Sequence, residues 1–196
     1  YCCGIFGANP LEIGIKNAAK KLNKIYDRPF VYGAADTFCK LGEASKVKEN
    51  IVMSVSGLAS ARLMEKMMGI PFKTENPFAV DFIKRNEEVL KSKAGSPFKV
   101  LITDDQISGN VMRKELKKMG AEVVVSSWFS MDAELKEEGD VKLLEEDDYI
   151  RVVSEGDFDF VIADPVQKRM IEKKFDGVFI EKNQFQISGV LYDTCD

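Results

Sequence analysis

The sequence predicts an α/β protein of two lobes, each built on a small parallel sheet and joined to the other by a long helix. Three observations carry this expectation. Short apolar runs alternate with amphipathic stretches at helical spacing along the chain. Polar or glycine-containing turns separate each run from the helix after it, as in units where a strand crosses over to a parallel neighbour. The alternation occurs twice, with a long charged stretch at 74–97 between the two rounds. The expected organisation is a lobe over 1-75, a connecting helix over 76-97 and a second lobe over 98-196. A chain of 196 residues is long enough for each lobe to bury a core.

In the first lobe, Cys2 to Phe6 reads as a strand and Gly7-Ala8-Asn9 as its turn. Asn9, Pro10 and Glu12 form a helix-start pattern, and the helix is expected to run to about Tyr26. Pro29 to Gly33 is a second strand, and Asp36 to Lys46 a weaker helix. Ile51 to Val55 is a third strand, turned by Ser56-Gly57. Leu58, Ala61, Met64 and Met68 share a helical face that Gly69 stops, and Met64, Met67 and Met68 read as core. Ile70-Pro71-Phe72 is expected at a sheet edge, because proline cannot donate to a central ladder. Asn76-Pro77 then opens the long helix, with Phe78, Phe82, Val89 and Leu90 facing inward.

The second lobe opens on Phe98 to Gly120, a buried strand, a polar turn and a helix ended by glycine. Glu122 to Phe129 is a strongly apolar strand. Asp132 to Asp148 is acidic and reads as a solvated loop with a short helix. Tyr149 to Val153 lies on a helix, Phe158 to Ala163 is a strand, and Asp164-Pro165 turns it into a helix over Val166 to Lys174. Gly177 to Ile180 is the last strand, and the tail carries Ser188-Gly189.

Composition narrows the function classes. Lys and Arg number 28 against 32 Asp and Glu, a net charge of −4, which argues against nucleic acid as a partner. No apolar run approaches the ~20 residues of a membrane span, and the first residues carry no signal pattern, so a cytoplasmic location is expected. There is no histidine, which removes Ser-His-Asp and Cys-His chemistry and the commonest transition-metal ligand. Cys2, Cys3, Cys39 and Cys195 form no C-x-x-C pair. Cys2 and Cys3 are neighbours on a strand and point to opposite faces, so buried structural roles are expected over ligation of a cluster.

In parallel sheets, ligands sit at the carboxyl ends of the strands. The candidate ligand-binding residues are therefore Gly7, Ala8 and Asn9, then Ser54, Ser56 and Gly57, then Asp104, Asp105 and Ser108. The first turn lacks a full G-x-G-x-x-G pattern. The serines offer hydroxyls and amides to an anion, or simply cap a helix. Asp104 and Asp105 share a proton or hold a cation, or one caps the helix while the other complements its dipole. Asp164 has the same two readings. Trp128 stacks on a flat ligand or packs in the core. No catalytic residue and no metal ligand is assigned.

The order of the motifs carries a resemblance. GIFGANPLEIG, KVKENIVMSVSGLASARLMEKMMGIPF, FKVLITDDQISGNVMRKELKKMGAEVV, DFDFVIADPVQKRM and the tail ISG resemble the nitrogenase component 1-like oxidoreductase family. That family includes the nitrogenase molybdenum-iron protein and the protochlorophyllide reductases. The resemblance covers nearly the whole chain and rests on order and spacing. It implies Rossmann-like lobes corresponding to the second and third of the family's three domains, without the domain that carries the Fe–S relay cysteines. It also implies a homologous component 1-type subunit and an ATP-dependent Fe–S reductase protein as partners. A metallocofactor or tetrapyrrole-type ligand is implied in a cleft between the lobes.

Two departures qualify it. Where molybdenum nitrogenase has a cofactor-binding cysteine this chain has Ser54-Val55-Ser56, and where it has a cofactor-binding histidine this chain has the region of Asn183. No Fe–S cluster or metallocofactor is therefore evident in this chain alone; one is expected only in a full-length assembly. The expected function is a domain pair of such an oxidoreductase, not catalytic by itself. The alternatives are a non-enzymatic cofactor-binding or scaffold protein of the same fold and a two-lobed small-molecule binder.

Overall fold

The computed structural model describes residues 3–6, 15–31, 42–92, 97–184 and 187. They belong to two compact units, the first ending at Asn76 and the second beginning at Pro77. Both are parallel α/β units.

The first unit holds strands β1 (Cys3–Phe6), β2 (Phe30–Val31), β3 (Glu49–Val52) and β4 (Phe72–Thr74), in the order β2-β1-β3-β4. Cys3 pairs with Glu49 and Phe6 with Val52, so β1 and β3 run in step at the centre. Strand β4 is an edge, and Pro71 stands immediately before it, where its missing donor costs nothing. Ile5, Ile51 and Val52 are fully buried. Helix α1 (Ile15–Ile25) follows β1, and α2 (Leu58–Met68) joins β3 to β4. Gly69 closes α2 in the left-handed region at φ 68°, where a side chain would be strained. Between β2 and β3, residues Gly42–Lys46 form a 3-10 turn; the rest of the helix expected from Asp36 lies outside the described residues.

The expected burial of the α2 methionines is corrected. Leu58 and Ala61 are the buried residues of that helix, and Met64 packs partly against Phe30, Val47 and Ile70. Met67 and Met68 are 69% and 54% exposed. Met67 and Met68 fall in the last turn of α2, which ends at Gly69, and the buried residues Leu58 and Ala61 lie in its first turn.

The second unit holds β5 (Lys99–Thr103), β6 (Glu122–Ser127), β7 (Val141–Lys142), β8 (Phe160–Ala163) and β9 (Val178–Glu181), in the order β7-β6-β5-β8-β9. The chain winds outward from β5 to β7 and then returns to the other side of β5. The switch point therefore falls between β5 and β8. Its helices are α3 (Pro77–Arg85), α4 (Glu87–Ser92), α5 (Gln106–Lys117), α6 (Glu146–Glu155) and α7 (Pro165–Ile171).

Alternate residues of the central strands enter two cores. Val100, Ile102, Phe160 and Ile162 join Met112 and Leu116 of α5 on one face. Leu101, Val161 and Ala163 join Tyr149, Val153 and Ile171 of α6 and α7 on the other. A sheet covered on both faces accounts for the continuous apolar character of these strands. Phe98 meets Phe160 edge to face at 5.5 Å between centroids.

The stretch expected as one long helix is two, broken at Asn86, whose side-chain amide donates to the Phe82 carbonyl at 2.9 Å. Ala79, Phe82, Ile83 and Leu90 lie in the core of the second unit, whereas Val89, expected to face inward, is 43% exposed. The acidic segment also differs from a solvated loop. It contains the edge strand β7, and Asp140 within it is buried against Arg113. Trp128 lies just past β6, packed on the second core with its ring 6.1 Å from that of Tyr149.

Candidate functional site

The carboxyl ends of β5 and β8 bring Asp104, Asp164, Lys182 and Gln184 together with further polar neighbours. Asp104 follows β5, and its backbone N–H donates to the Ser126 carbonyl at 3.0 Å, extending the ladder to β6. Its Oδ1 accepts from the Asp105 N–H at 2.8 Å and its Oδ2 from the Ser108 hydroxyl at 2.7 Å. The same Oδ2 lies 2.9 Å from Lys182 Nζ. Both side chains of this ion pair are about nineteen-twentieths buried, at 6% and 5% exposed. The Lys182 ammonium also lies 5.9 Å from the centre of the Phe82 ring.

Asp164 follows β8 and is fully buried. It caps α7: Oδ1 accepts from the Val166 N–H at 3.0 Å, and Gln167 Oε1 accepts in return from the Asp164 N–H at 3.1 Å. Its Oδ2 accepts from the Gln184 N–H at 2.8 Å. The Gln184 side chain reaches across to donate from Nε2 to the Thr103 carbonyl at 2.5 Å. Thr103 and Ser126 join their hydroxyls at 2.8 Å. Gln167 Nε2 is buried with no hydrogen-bond partner.

The two aspartates of the β5 turn divide their work. Asp105 is the cap of α5, its Oδ1 accepting from the Ile107 N–H at 3.0 Å. Asp104 and Ser108 are brought together; Asp105 serves the helix end. Gly109 lets α5 lie close on the sheet, because a Cβ there would stand 2.7 Å from Val125 Cγ1.

A second polar cluster fastens α5 to the segment after β6. Gln106 holds the Asp132 backbone with both amide atoms, at 3.0 and 2.7 Å, and Asn110 donates to the Leu135 carbonyl at 2.8 Å. Further along, Arg113 pairs with Asp140, whose oxygens also accept from the Val125 and Glu137 N–H groups at 2.9 Å each. Arg113 Nη1 lies 3.0 Å from Glu137, an ion pair without hydrogen-bond alignment, and Lys117 reaches Glu137 at 2.6 Å. Hydrogen bonding from Lys117, with the nearby Arg113 charge, holds the Glu137 carboxyl below its ordinary pKa.

In the first unit, Ser54 caps the 3-10 turn Val55–Gly57. Its Oγ accepts from the Ser56 N–H at 3.3 Å and lies 2.6 Å from the Ser56 hydroxyl. Ser56 is exposed and Gly57 is buried. Gly7, Ala8 and Asn9 lie outside the described residues, as do Cys2, Cys39 and Cys195. Nearby, the Tyr26 hydroxyl donates to Glu75 at 3.1 Å, and burial followed by the Glu75 charge pushes its pKa up.

Among the described residues, no group of three or more His, Cys, Asp or Glu is arranged to hold a metal ion. Cys3 is buried, and the strand-end turns offer hydroxyls, amides and carboxylates already bonded within the chain.

Sequence reasoning missed Lys182 and Gln184. The available signal was their place directly after the last parallel strand, a turn equivalent to those after β5 and β8.

The chain matches no family profile and no curated protein. Among solved structures it is similar to nitrogenase Cp1 at pH 6.5, with a TM-score of 0.58 and 13% identity over 92% of this chain and 52% of that one. It thus spans about half the length of that nitrogenase chain. Two weaker likenesses are to a phosphoglycerate dehydrogenase from Lactobacillus plantarum and to the pyruvate reductase of Chlamydomonas reinhardtii. The first has a TM-score of 0.40, 10% identity and coverage of 91% and 72%. The second has a TM-score of 0.34, 12% identity and coverage of 92% and 68%. The chain is a pair of Rossmann-like parallel α/β units.

Proposed function

We propose that this chain is a domain pair of a nitrogenase component 1-like oxidoreductase, holding a tetrapyrrole-type or metallocofactor ligand at the carboxyl ends of its parallel strands. The observation that supports this most is the likeness to a nitrogenase chain over 92% of the sequence, at a TM-score of 0.58. Among the described residues the strand-end turns carry hydroxyls, amides and carboxylates, donors and acceptors that suit an organic ligand held by hydrogen bonds. In this reading Gly7, Ala8, Asn9, Ser54, Ser56 and Gly57 of the first unit contact the ligand, and Asp105 caps its helix in the second. Asp104 and Ser108 position the turn that carries Asp105. Electrons arrive in the cytoplasm from an ATP-dependent Fe–S reductase, and a homologous component 1-type subunit completes the assembly.

A second reading has a specific observation in its favour. The buried carboxylates Asp104 and Asp164 already accept bonds from Lys182, Ser108 and backbone amides. Carboxylates so engaged suit a rigid holder more than an acid–base catalyst, which favours a non-enzymatic scaffold of the same fold.

Anaerobic purification of the full-length gene product, with iron and sulfide analysis and a visible spectrum, tests the proposal. A cluster or bound pigment that is reduced by the Fe–S ATPase, itself reduced with dithionite, in the presence of ATP is the expected result. A colourless, iron-free protein would sink the redox reading and leave the scaffold.

A further inference from the structure

The segment Lys182–Gln184 lies over the carboxyl ends of β8 and β5, where doubly wound sheets receive their ligands. Several attachments hold it there. The Lys182 N–H donates to the Ala163 carbonyl at 2.8 Å and the Lys182 ammonium pairs with Asp104 at 2.9 Å. The Gln184 N–H donates to Asp164 at 2.8 Å and its side chain donates to the Thr103 carbonyl at 2.5 Å. Two of these acceptors follow or end β5, and the other two follow or end β8. The crevice between those strands is bridged from both sides by one short strap.

The chemistry of the crevice points the same way. A nucleotide phosphate at a switch point is held by backbone N–H groups in the strand-to-helix turns. Here the N–H groups of Asp105, Ile107 and Val166 already point at the carboxylates of Asp104, Asp105 and Asp164. Those carboxylates would repel a phosphate as well as occupy its donors. The charge that balances Asp104 is internal, from Lys182, so the buried ion pair replaces what a ligand would bring.

We propose that the Lys182–Gln184 strap is a fixed intrachain occupant of the switch-point crevice of the second unit, and that it closes this crevice to nucleotides and dinucleotides. Nucleotide recognition by this unit is excluded by the chain's own residues, whichever ligand the protein carries elsewhere. The inference stands on the geometry of this unit and is independent of the oxidoreductase reading.

Residue-resolved NMR of the intact wild-type protein tests it on two counts. The amides of Lys182 and Gln184 are expected to exchange with solvent as slowly as the central amides of β5, at least about a hundredfold slower than unprotected amides. Titration with NAD+, NADH or Mg-ATP to millimolar levels is expected to leave the resonances of Asp104 to Ser108 and Asp164 to Gln167 unmoved. Unprotected strap amides, or saturable nucleotide shifts at those turns, would overturn it. In Gln184→Ala, which removes one attachment and keeps the backbone, exchange of the amide at position 184 is expected to rise about tenfold or more while β5 is unchanged. Iron content and colour play no part in either readout, so this proposal and the functional one fail separately.

Discussion

Lys182 and Asp104 form a buried ion pair, 2.9 Å apart, that joins the residue after the last strand to the residue after the first strand of the second unit. Removing one partner leaves a charge in a site that excludes water. Lys182→Met is therefore expected to destabilise the protein by about 3–5 kcal/mol. Lys182→Met combined with Asp104→Asn, which removes both charges, should recover most of that loss. Urea unfolding of the single and double variants measures both.

Gly109 sets how closely α5 approaches the sheet. Gly109→Ala forces its new methyl onto Val125, at 2.7 Å from Cγ1 and 3.2 Å from Cγ2. The expected cost is about 1–3 kcal/mol from overpacking. Val125→Ala opens the space, so a double-mutant cycle should show the two losses adding to less than their sum.

Arg113 and Lys117 meet the same carboxylate with different force. Arg113 is buried and also carries Asp140, so Arg113→Ala is expected to cost about 3–5 kcal/mol. Lys117 is half exposed, and Lys117→Ala should cost under about 1 kcal/mol. The pH dependence has a definite sign. The folded-state pKa of Glu137 is depressed, so its contribution is present above the ordinary glutamate value of 4.5 and is lost as pH falls through the lower folded value. Lys117→Ala should flatten this acid limb in unfolding curves taken at descending pH.

Asp164 holds the first turn of α7 and the strap with separate oxygens. Asp164→Ala removes both acceptors and is expected to cost about 2 kcal/mol or more. Hydrogen exchange should localise the loss to the amides of Val166 and Gln184, with β5 and β6 retaining their protection.

The legible part of this protein is its local chemistry. The run Phe98 to Gly120 shows a strand, a capping aspartate and a helix in order, and β5 and α5 appear there as expected. Pro71 marked an edge strand for a reason that holds in three dimensions. What spacing could not show was how far along a helical face the burial extends, and so Met67 and Met68, in the last turn of α2, came out exposed. Nor could it show pairings across the sheet. A lysine after a strand reads as solvated until the fold sets Asp104 beside it. Asp140 reads as one acid among many until Arg113, on another element, claims it.

The attachments of α5 to the chain after β6 differ in kind along their length. Gln106 and Asn110 grip Asp132 and Leu135 with neutral amides, which ionic strength leaves untouched. Arg113 grips Asp140 by charge, but where mobile ions do not reach. The exposed Lys117–Glu137 contact is open to screening. Salt therefore acts on this segment at the Glu137 side chain, while the neutral contacts before it and the buried pair after it stay fastened.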